Sequence, residues 1–311
     1  MNPAPEPDRA GKPRWLRARL PQGEEFERVN ARLRAHGLVT VCSAARCPNL
    51  AECWNRGTAT FMILGAVCTR NCRFCSVATV NPGGAVDESE PGRVAAAVAE
   101  LDLRYVVLTS VDRDDLDDLG AGQFARTVSE VRARNPEAGG EDAGTGTGGV
   151  RVEVLTPDFC GRAELIGQVL AAGPAVFGHN LETVERLSPE VRDRRAGYRR
   201  SLEVLATAKR LAPGIPTKSG LMAGLGETDE EVSHALRDLR TAGCDIVTIG
   251  QYLRPARHCR PVARHVAPER FAEWEDEARA LGFRAAFCGP LVRSSYLADT
   301  LLAPGGRRAG R

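Results

Sequence analysis

Lysine is nearly absent from this chain of 311 residues. Lys12, Lys209 and Lys218 are the only three, so arginine carries almost all of the positive charge. There is no run of about 18 apolar residues, which excludes a membrane-spanning helix on sequence grounds. An apolar core is missing from Met1 to Trp15, so no secretory signal is read there. Glu6, Asp8, Glu24, Glu25 and Glu27 oppose a transit peptide. The net charge is only +2, which leaves no electrostatic case for a nucleic-acid partner. Hydrophobic content of 43% and charged content of 26% are ordinary for a soluble globular chain. The expectation is a cytoplasmic protein with neither membrane nor nucleic acid as partner.

Cysteine is what the chain has in quantity. The cytosol keeps thiols reduced, so ten cysteines there are better used on metal than in disulfides. Six fall into two groups of three. Cys42, Cys47 and Cys53 form a C-x4-C-x5-C run, and Cys68, Cys72 and Cys75 a C-x3-C-x2-C run. Thiolate is the soft ligand favoured by iron–sulfur clusters and by zinc. Three thiolates are one short of a closed site, and two such open sites point to redox chemistry rather than structural stapling. The competing reading is zinc, with His36 completing the first group, although C-x4-C-x5-C is not a usual zinc spacing. Of the other thiols, Cys244 and Cys288 sit in apolar runs and read as core. Cys160 and Cys259 have no assigned role.

Strands and helices alternate from residue 60 onward. Apolar patterning predicts strands over 60–65, 104–110, 150–155, 175–179, 216–222 and 244–251. Helices are predicted over 93–101, 123–134, 163–172, 199–211, 230–242 and 268–281, with a closing apolar run at 283–288. This alternation argues for βαβ units and a parallel α/β sheet, either a partial barrel or an open doubly wound sheet. Before it, 24–36 reads as a helix with Phe26, Val29 and Leu33 on one face. Residues 136–149 read as a Gly-rich surface insertion without the lysine of a phosphate-binding loop. Thr228, with Glu231 three residues on, predicts a capping box.

The C-x3-C-x2-C run directly after the first strand resembles the radical S-adenosylmethionine superfamily. With the upstream C-x4-C-x5-C run, the sequence is similar to the lipoyl synthase family. Cys47–Trp54, Thr109–Asp115, His179–Thr183, Lys218–Thr228, Gln251–Pro255 and Arg293–Tyr296 agree, so the resemblance spans about residues 30 to 298. It implies a partial (β/α)6 TIM-like barrel. The expected organisation is a disordered leader over 1–23, an auxiliary-cluster segment over 24–58, the barrel over 59–290 and a C-terminal segment over 291–311.

The resemblance also implies chemistry. Two [4Fe–4S] clusters are expected, one on Cys68, Cys72 and Cys75 that binds S-adenosylmethionine and yields a 5′-deoxyadenosyl radical. The other, on Cys42, Cys47 and Cys53 with Ser295 (Ser294 the alternative) as fourth ligand, donates sulfur. The substrate implied is an octanoyl group on a lysine of a lipoyl carrier protein, such as the glycine cleavage H protein or the E2 subunits of 2-oxoacid dehydrogenases. Sulfur is inserted at C6 and C8, and an electron donor and an iron–sulfur carrier are further partners. Contacts to S-adenosylmethionine are expected from Thr109, Asp112, His179, Asn180, Gly224 and Gly226. Against these stand plainer roles: a solvated loop, a histidine satisfied by backbone, a helix cap at Arg293–Tyr296. Lys218, a lysine kept mid-strand in an arginine-rich chain, is expected to point into the barrel and to pair with a carboxylate or cofactor. Two rivals stay open: another sulfur-inserting radical enzyme of the biotin synthase or methylthiotransferase kind, and a non-catalytic iron–sulfur or zinc scaffold.

Overall fold

The computed structural model describes residues 13–16, 24–40, 49, 53–54, 57–136 and 149–295. Most of the expected leader, most of the Gly-rich insertion and the end of the chain lie outside these. The leader is not wholly irregular: Arg14–Leu16 makes a 3-10 turn that buries Leu16. Helix α1 (Glu24–Ala35) buries Val29 and Leu33, as its apolar spacing predicts. Strand β1 (Val39–Thr40) then pairs antiparallel with β2 (Thr58–Ile63).

From β2 onward the expected alternation appears. A small two-stranded ribbon follows, β3 (Val67–Cys68) with β4 (Ala78–Thr79). Helix α2 (Glu90–Glu100), β5 (Tyr105–Ser110), α3 (Ala121–Arg134), β6 (Arg151–Leu155), α4 (Ala163–Ala171) and β7 (Val176–Gly178) come next. After a short helix α5 (Ser188–Val191) run α6 (Tyr198–Leu211), β8 (Thr217–Ala223), α7 (Asp229–Thr241), β9 (Ile246–Gln251), α8 (Pro268–Ala280) and β10 (Ala285–Gly289). Helix α7 carries the expected capping box: Thr228 Oγ1 accepts from Glu231 N, and Glu231 Oε2 accepts from Thr228 N at 2.8 Å.

The sheet order is β1-β2-β5-β6-β7-β8-β9-β10, and every neighbour from β2 onward is parallel. A doubly wound sheet needs a reversal of strand order so that helices cover both faces. Here the order follows the chain without reversal. Right-handed crossovers therefore lay every helix on one face, and the sheet curls into a partial barrel. Among the described residues six strand–helix units are present, and the closing run at 283–288 becomes a seventh parallel strand, β10, beyond the six expected. No helix among the described residues is long and apolar enough to cross a membrane.

Alternation along the strands sorts side chains between two environments. Phe61, Ile63, Val106, Leu108, Val152 and Val154 point outward into the main helix-covered core. The barrel interior is filled by Tyr105, Val107, Val176, Ile246, Phe287 and Val292. Lys218 also points inward, as expected. Its Nζ lies 2.8 Å from Glu153 Oε1, and Tyr105 donates its hydroxyl to Glu153 Oε2 at 2.8 Å. Both members of this ion pair are 2% exposed. Lys218 therefore meets a carboxylate inside the barrel rather than a cofactor. A buried pair stabilises little relative to apolar packing, but breaking it strands a charge.

His179, just after β7, is buried between Thr156 O at its Nδ1 and Ser201 Oγ at its Nε2, each 2.9 Å away. Burial, with the Arg192 charge adding to it, pulls its pKa down to about 4.

Two stability predictions follow from these buried groups. Lys218→Met leaves the buried Glu153 with the Tyr105 hydroxyl but without its cation and is expected to lower unfolding free energy by about 3–5 kcal/mol in a denaturant titration, with Glu153→Gln in the same chain recovering most of it. His179 is kept neutral, so its contribution is complete above the ordinary histidine value and is lost as pH falls towards about 4. His179→Gln is expected to flatten the stability–pH curve across that window.

Candidate metal centre

The C-x3-C-x2-C loop follows β2, the first strand of the parallel sheet, and crosses the carboxyl ends of the strands, where barrel enzymes place their chemistry. Cys68 ends β3, and Val80 N returns to Cys68 O at 3.0 Å to close the ribbon over the loop. The loop is stitched to its surroundings by backbone bonds. Thr69 N donates to Asp112 O, Arg73 N to Val191 O, and Arg260 N donates to Arg73 O.

Arg70, inside the cysteine run, is the anchor. Its side chain is 3% exposed. It makes a two-pronged contact with Asp114, Nη2 to Oδ1 at 2.8 Å and Nε to Oδ2 at 3.0 Å. Nη2 also reaches Asp158 Oδ1 at 2.8 Å, and Nη1 lies 3.4 Å from Asp112 Oδ1. Burial opposes ionisation of Asp158, but the Arg70 hydrogen bond and charge outweigh it and hold its carboxyl below the ordinary range. Asp112 goes the other way. Burial dominates the opposing Arg70 charge and pushes its pKa up to about 6. Arg113 is likewise buried and bonded to Asp115 at 2.9 Å. The charged run after β5 is thus an internal network rather than a solvated loop.

Each thiol of the triad faces backbone donors. Cys68 Sγ accepts from Arg70 N at 3.4 Å and Asp112 N at 3.3 Å, Cys72 Sγ from Asp193 N at 3.3 Å, and Cys75 Sγ from Val77 N at 3.5 Å. Burial is the largest influence on all three. It pushes free Cys68 to about 11, Cys72 to about 12, and Cys75 upward as well. As free thiols they would stay protonated near neutrality and be poor nucleophiles. A coordinated metal removes the thiol proton outright, and the N–H groups then stabilise the thiolates. Among the described residues, no three His, Cys, Asp or Glu side chains converge closely enough for a single ion. Three thiols faced by backbone N–H donors are a donor set that an iron–sulfur cluster would take.

The three cysteines line one cavity of about 200 Å³. Its walls mix apolar Met62, Phe74, Val111 and Leu155 with polar groups. Four of the expected contacts are brought here: Thr109, Asp112, His179 and Asn180. Thr109 Oγ1 is already given to Leu155 O at 3.0 Å, and both His179 nitrogens are engaged as described above. Asn180 donates to Glu182 Oε1 at 3.1 Å. Glu182 itself, in the left-handed region at φ 69°, was not foreseen. Burial raises its pKa against the pull of Arg192. Its presence in the His179–Thr183 stretch was the available signal.

Lys218, Gly224 and Gly226 are not in this wall. Gly224 has φ +98°, and an added Cβ there would collide with Gln251 and the Arg264 carbonyl. The amides of Gly224 and Leu225 both donate to the buried Glu227 carboxylate, at 2.6 and 2.9 Å. The glycine turn is therefore explained by chain packing.

Of the first cysteine group, Cys42 and Cys47 lie outside the described residues. Cys53 is half-buried, beside the buried Trp54. Asn49, between Cys47 and Cys53, donates its Nδ2 to Leu291 O at 2.6 Å. Ser294 and Ser295 follow, both half-buried. Val292 packs into the barrel interior, and a Cβ on Gly250 would strike its carbonyl. Leu291 and Val292, just past β10, thus meet Asn49 on one side and the end of β9 on the other. Cys244 is fully buried and Cys288 packs against core, as expected.

A model of the radical SAM superfamily matches residues 62–239. The lipoyl synthase of Thermus thermophilus is 55% identical over 295 residues, covering 95% of this chain and 88% of that one. That of Pyrobaculum calidifontis is 55% identical over 288 residues, covering 92% and 94%. The X-ray structure of the FeFe-hydrogenase maturase HydG from Carboxydothermus hydrogenoformans superposes with a TM-score of 0.53 at 14% identity, over 90% of this chain and 78% of that one, a likeness of fold alone. With its triad at the barrel mouth and this identity over nearly its whole length, the chain belongs to the radical SAM superfamily and, within it, to the lipoyl synthase family.

Proposed function

We propose that this chain is a sulfurtransferase that inserts two sulfur atoms, at C6 and C8, into an octanoyl group carried on a lysine of a lipoyl carrier protein, the final step of protein lipoylation. The observation that carries this reading is the pairing of two features at one end of the barrel. One is the three-thiol cavity; the other is the contact of Asn49, which lies between Cys47 and Cys53 in the first cysteine group, with Leu291 just past β10.

A [4Fe–4S] cluster on Cys68, Cys72 and Cys75 with S-adenosylmethionine would supply the means to take hydrogen from an unactivated methylene, and a second cluster on Cys42, Cys47, Cys53 and Ser295 would supply sulfur. The protein's own part is to hold, shield and position. Backbone amides of Arg70, Asp112, Asp193 and Val77 stabilise the thiolates. Met62, Phe74, Val111 and Leu155 keep water from the cavity, which protects a reactive carbon centre from side reactions. The carboxylates of Asp112 and Glu182 face the same space and suit the cationic and hydroxyl groups of S-adenosylmethionine. Asn180 orients Glu182, and Thr109 and His179 shape the wall while their polar atoms serve the fold. Carrier proteins such as the glycine cleavage H protein and E2 subunits are the proposed partners, in the cytoplasm, with an electron donor and an iron–sulfur carrier.

An anaerobic single-turnover assay tests this. Reconstituted protein, reductant and S-adenosylmethionine are mixed with an octanoyl-lysine peptide, and products are read by mass spectrometry. The wild type is expected to give dithiolated peptide and 5′-deoxyadenosine. Cys42→Ala is expected to give 5′-deoxyadenosine without sulfur gain, and Cys68→Ala neither product. Deoxyadenosine without sulfur gain in the wild type would point to a different substrate.

Arg70 gives a second test. Arg70→Met takes the shared central cation from the buried Asp158 and the half-buried Asp112 and Asp114, leaving only Arg195 beside Asp114 and Arg200 beside Asp158, with an expected loss of about 3 kcal/mol in stability by chemical denaturation. Iron and sulfide bound at the Cys68–Cys75 loop are expected to fall with it, because the loop loses its tie to the strand ends. Arg70→Lys is expected to recover only part of the loss, since an ammonium cannot reproduce the two-pronged contact with Asp114.

A further inference from the structure

One cation in the wall of the three-thiol cavity has no task so far. Arg192 follows α5, lines that cavity and is 8% exposed. The other buried arginines, Arg70 and Arg113, each meet carboxylates. Arg192 takes part in no salt bridge among the described residues. Its hydrogen bonds there all leave from one nitrogen: Nη1 reaches Ser201 Oγ at 2.7 Å and Leu181 O at 3.4 Å. A buried charge without a counter-ion is costly, and the planar guanidinium fork matches a carboxylate.

The fold holds Nη1 through a relay whose protons are fixed by chemistry. Thr156 O can only accept, so His179 Nδ1 carries the ring proton. The ring is kept neutral, which leaves Nε2 bare to accept the Ser201 hydroxyl. Ser201 Oγ, fully buried on α6, then accepts from Arg192 Nη1. One prong of the fork is thus pinned to the fold, while Nε and Nη2 make no hydrogen bond among the described residues. Asp112 and Glu182 line the same cavity without forming an ion pair with Arg192. The wall therefore presents acid and base separately.

We propose that Arg192 is the receptor for the carboxylate of S-adenosylmethionine, with Ser201 and His179 as its positioning residues. The inference rests on the reading that this cavity takes S-adenosylmethionine. That molecule carries two cationic groups, an ammonium and a sulfonium, and a single anionic one, its carboxylate. Asp112 and Glu182 suit the first two, and Arg192 is the cavity cation left for the third. A charge-assisted bond from a pre-positioned guanidinium is strong and directional. Arg192 thereby sets which way the amino-acid half is turned, and the relay sets Arg192.

The test is calorimetry on cluster-loaded protein, anaerobic and without reductant so that no turnover occurs, with affinity referred to iron-loaded sites. The probes are S-adenosylmethionine and 5′-methylthioadenosine, which keeps the nucleoside and lacks the carboxylate. Arg192→Met is expected to weaken S-adenosylmethionine binding at least about tenfold and to leave methylthioadenosine within about twofold. Arg192→Lys is expected to recover part of the loss, because an ammonium still attracts a carboxylate as a point charge. Ser201→Ala keeps the cation and removes its hold, so S-adenosylmethionine is expected to weaken about threefold with methylthioadenosine unaltered. That variant carries the test if Arg192→Met does not fold. Equal weakening of both probes, unaltered S-adenosylmethionine binding, or no recovery by lysine would each overturn the receptor. Loss of iron and sulfide from the loop, with affinity per loaded site unaltered, would assign the Arg192 charge to the cluster instead. Failure of the wild type to bind S-adenosylmethionine would overturn the reading on which the inference rests.

Discussion

Arg70 is the point at which the metal site and the barrel become one object. Its guanidinium is taken out of water and surrounded by Asp112 and Asp114 from the turn after β5 and by Asp158 from the turn after β6. A single buried cation thereby ties the cysteine loop to the ends of two neighbouring strands. Three carboxylates so close together would repel one another strongly without it. The cation needs them as much, since a lone buried charge is heavily penalised. The position of Cys68, two residues earlier and bonded to the amides of Arg70 and Asp112, follows from that mutual dependence. Asp193 adds a second fastening on the other side. Its carboxylate accepts from Asn71 N at 2.9 Å, and its own amide donates to Cys72 Sγ.

The barrel architecture and the cysteine triad were legible in the sequence for physical reasons. Buried parallel strands such as Tyr105–Ser110 and Ile246–Gln251 are largely apolar runs rich in valine and isoleucine, and the helices between them carry one apolar face. Three thiols within eight residues must lie near one another wherever the chain goes. Curl was not legible from local pattern, because it depends on strand order, which is a property of the whole sheet. Nor was the seventh strand, five residues long and short for a confident pattern.

Arg70 and Asp158 escaped because nothing local marks them. An arginine between two cysteines in an arginine-rich chain looks like any other, and Asp158 meets it from 88 residues away. Lys218 is the instructive contrast. Its rarity drew attention and its inward direction was foreseen, but its partner Glu153 stands 65 residues earlier. The Gly224–Thr228 turn also has a local cause: the carboxylate of Glu227 accepts from the amides of Gly224 and Leu225.

The hydrogen bond from Asn49 to Leu291 spans 242 positions of sequence. A ribosome delivers the chain from its N-terminus, and the strands from β2 to β9 can pair in order as they emerge. The segment holding the first cysteine group has no such early neighbour for Asn49. Its partner Leu291 is made 242 residues later, after all the strands of the sheet. Biogenesis is thereby ordered: the carboxylates around Arg70 are all made by residue 158, the other ties of its loop by residue 260, and the Asn49–Leu291 contact comes after both.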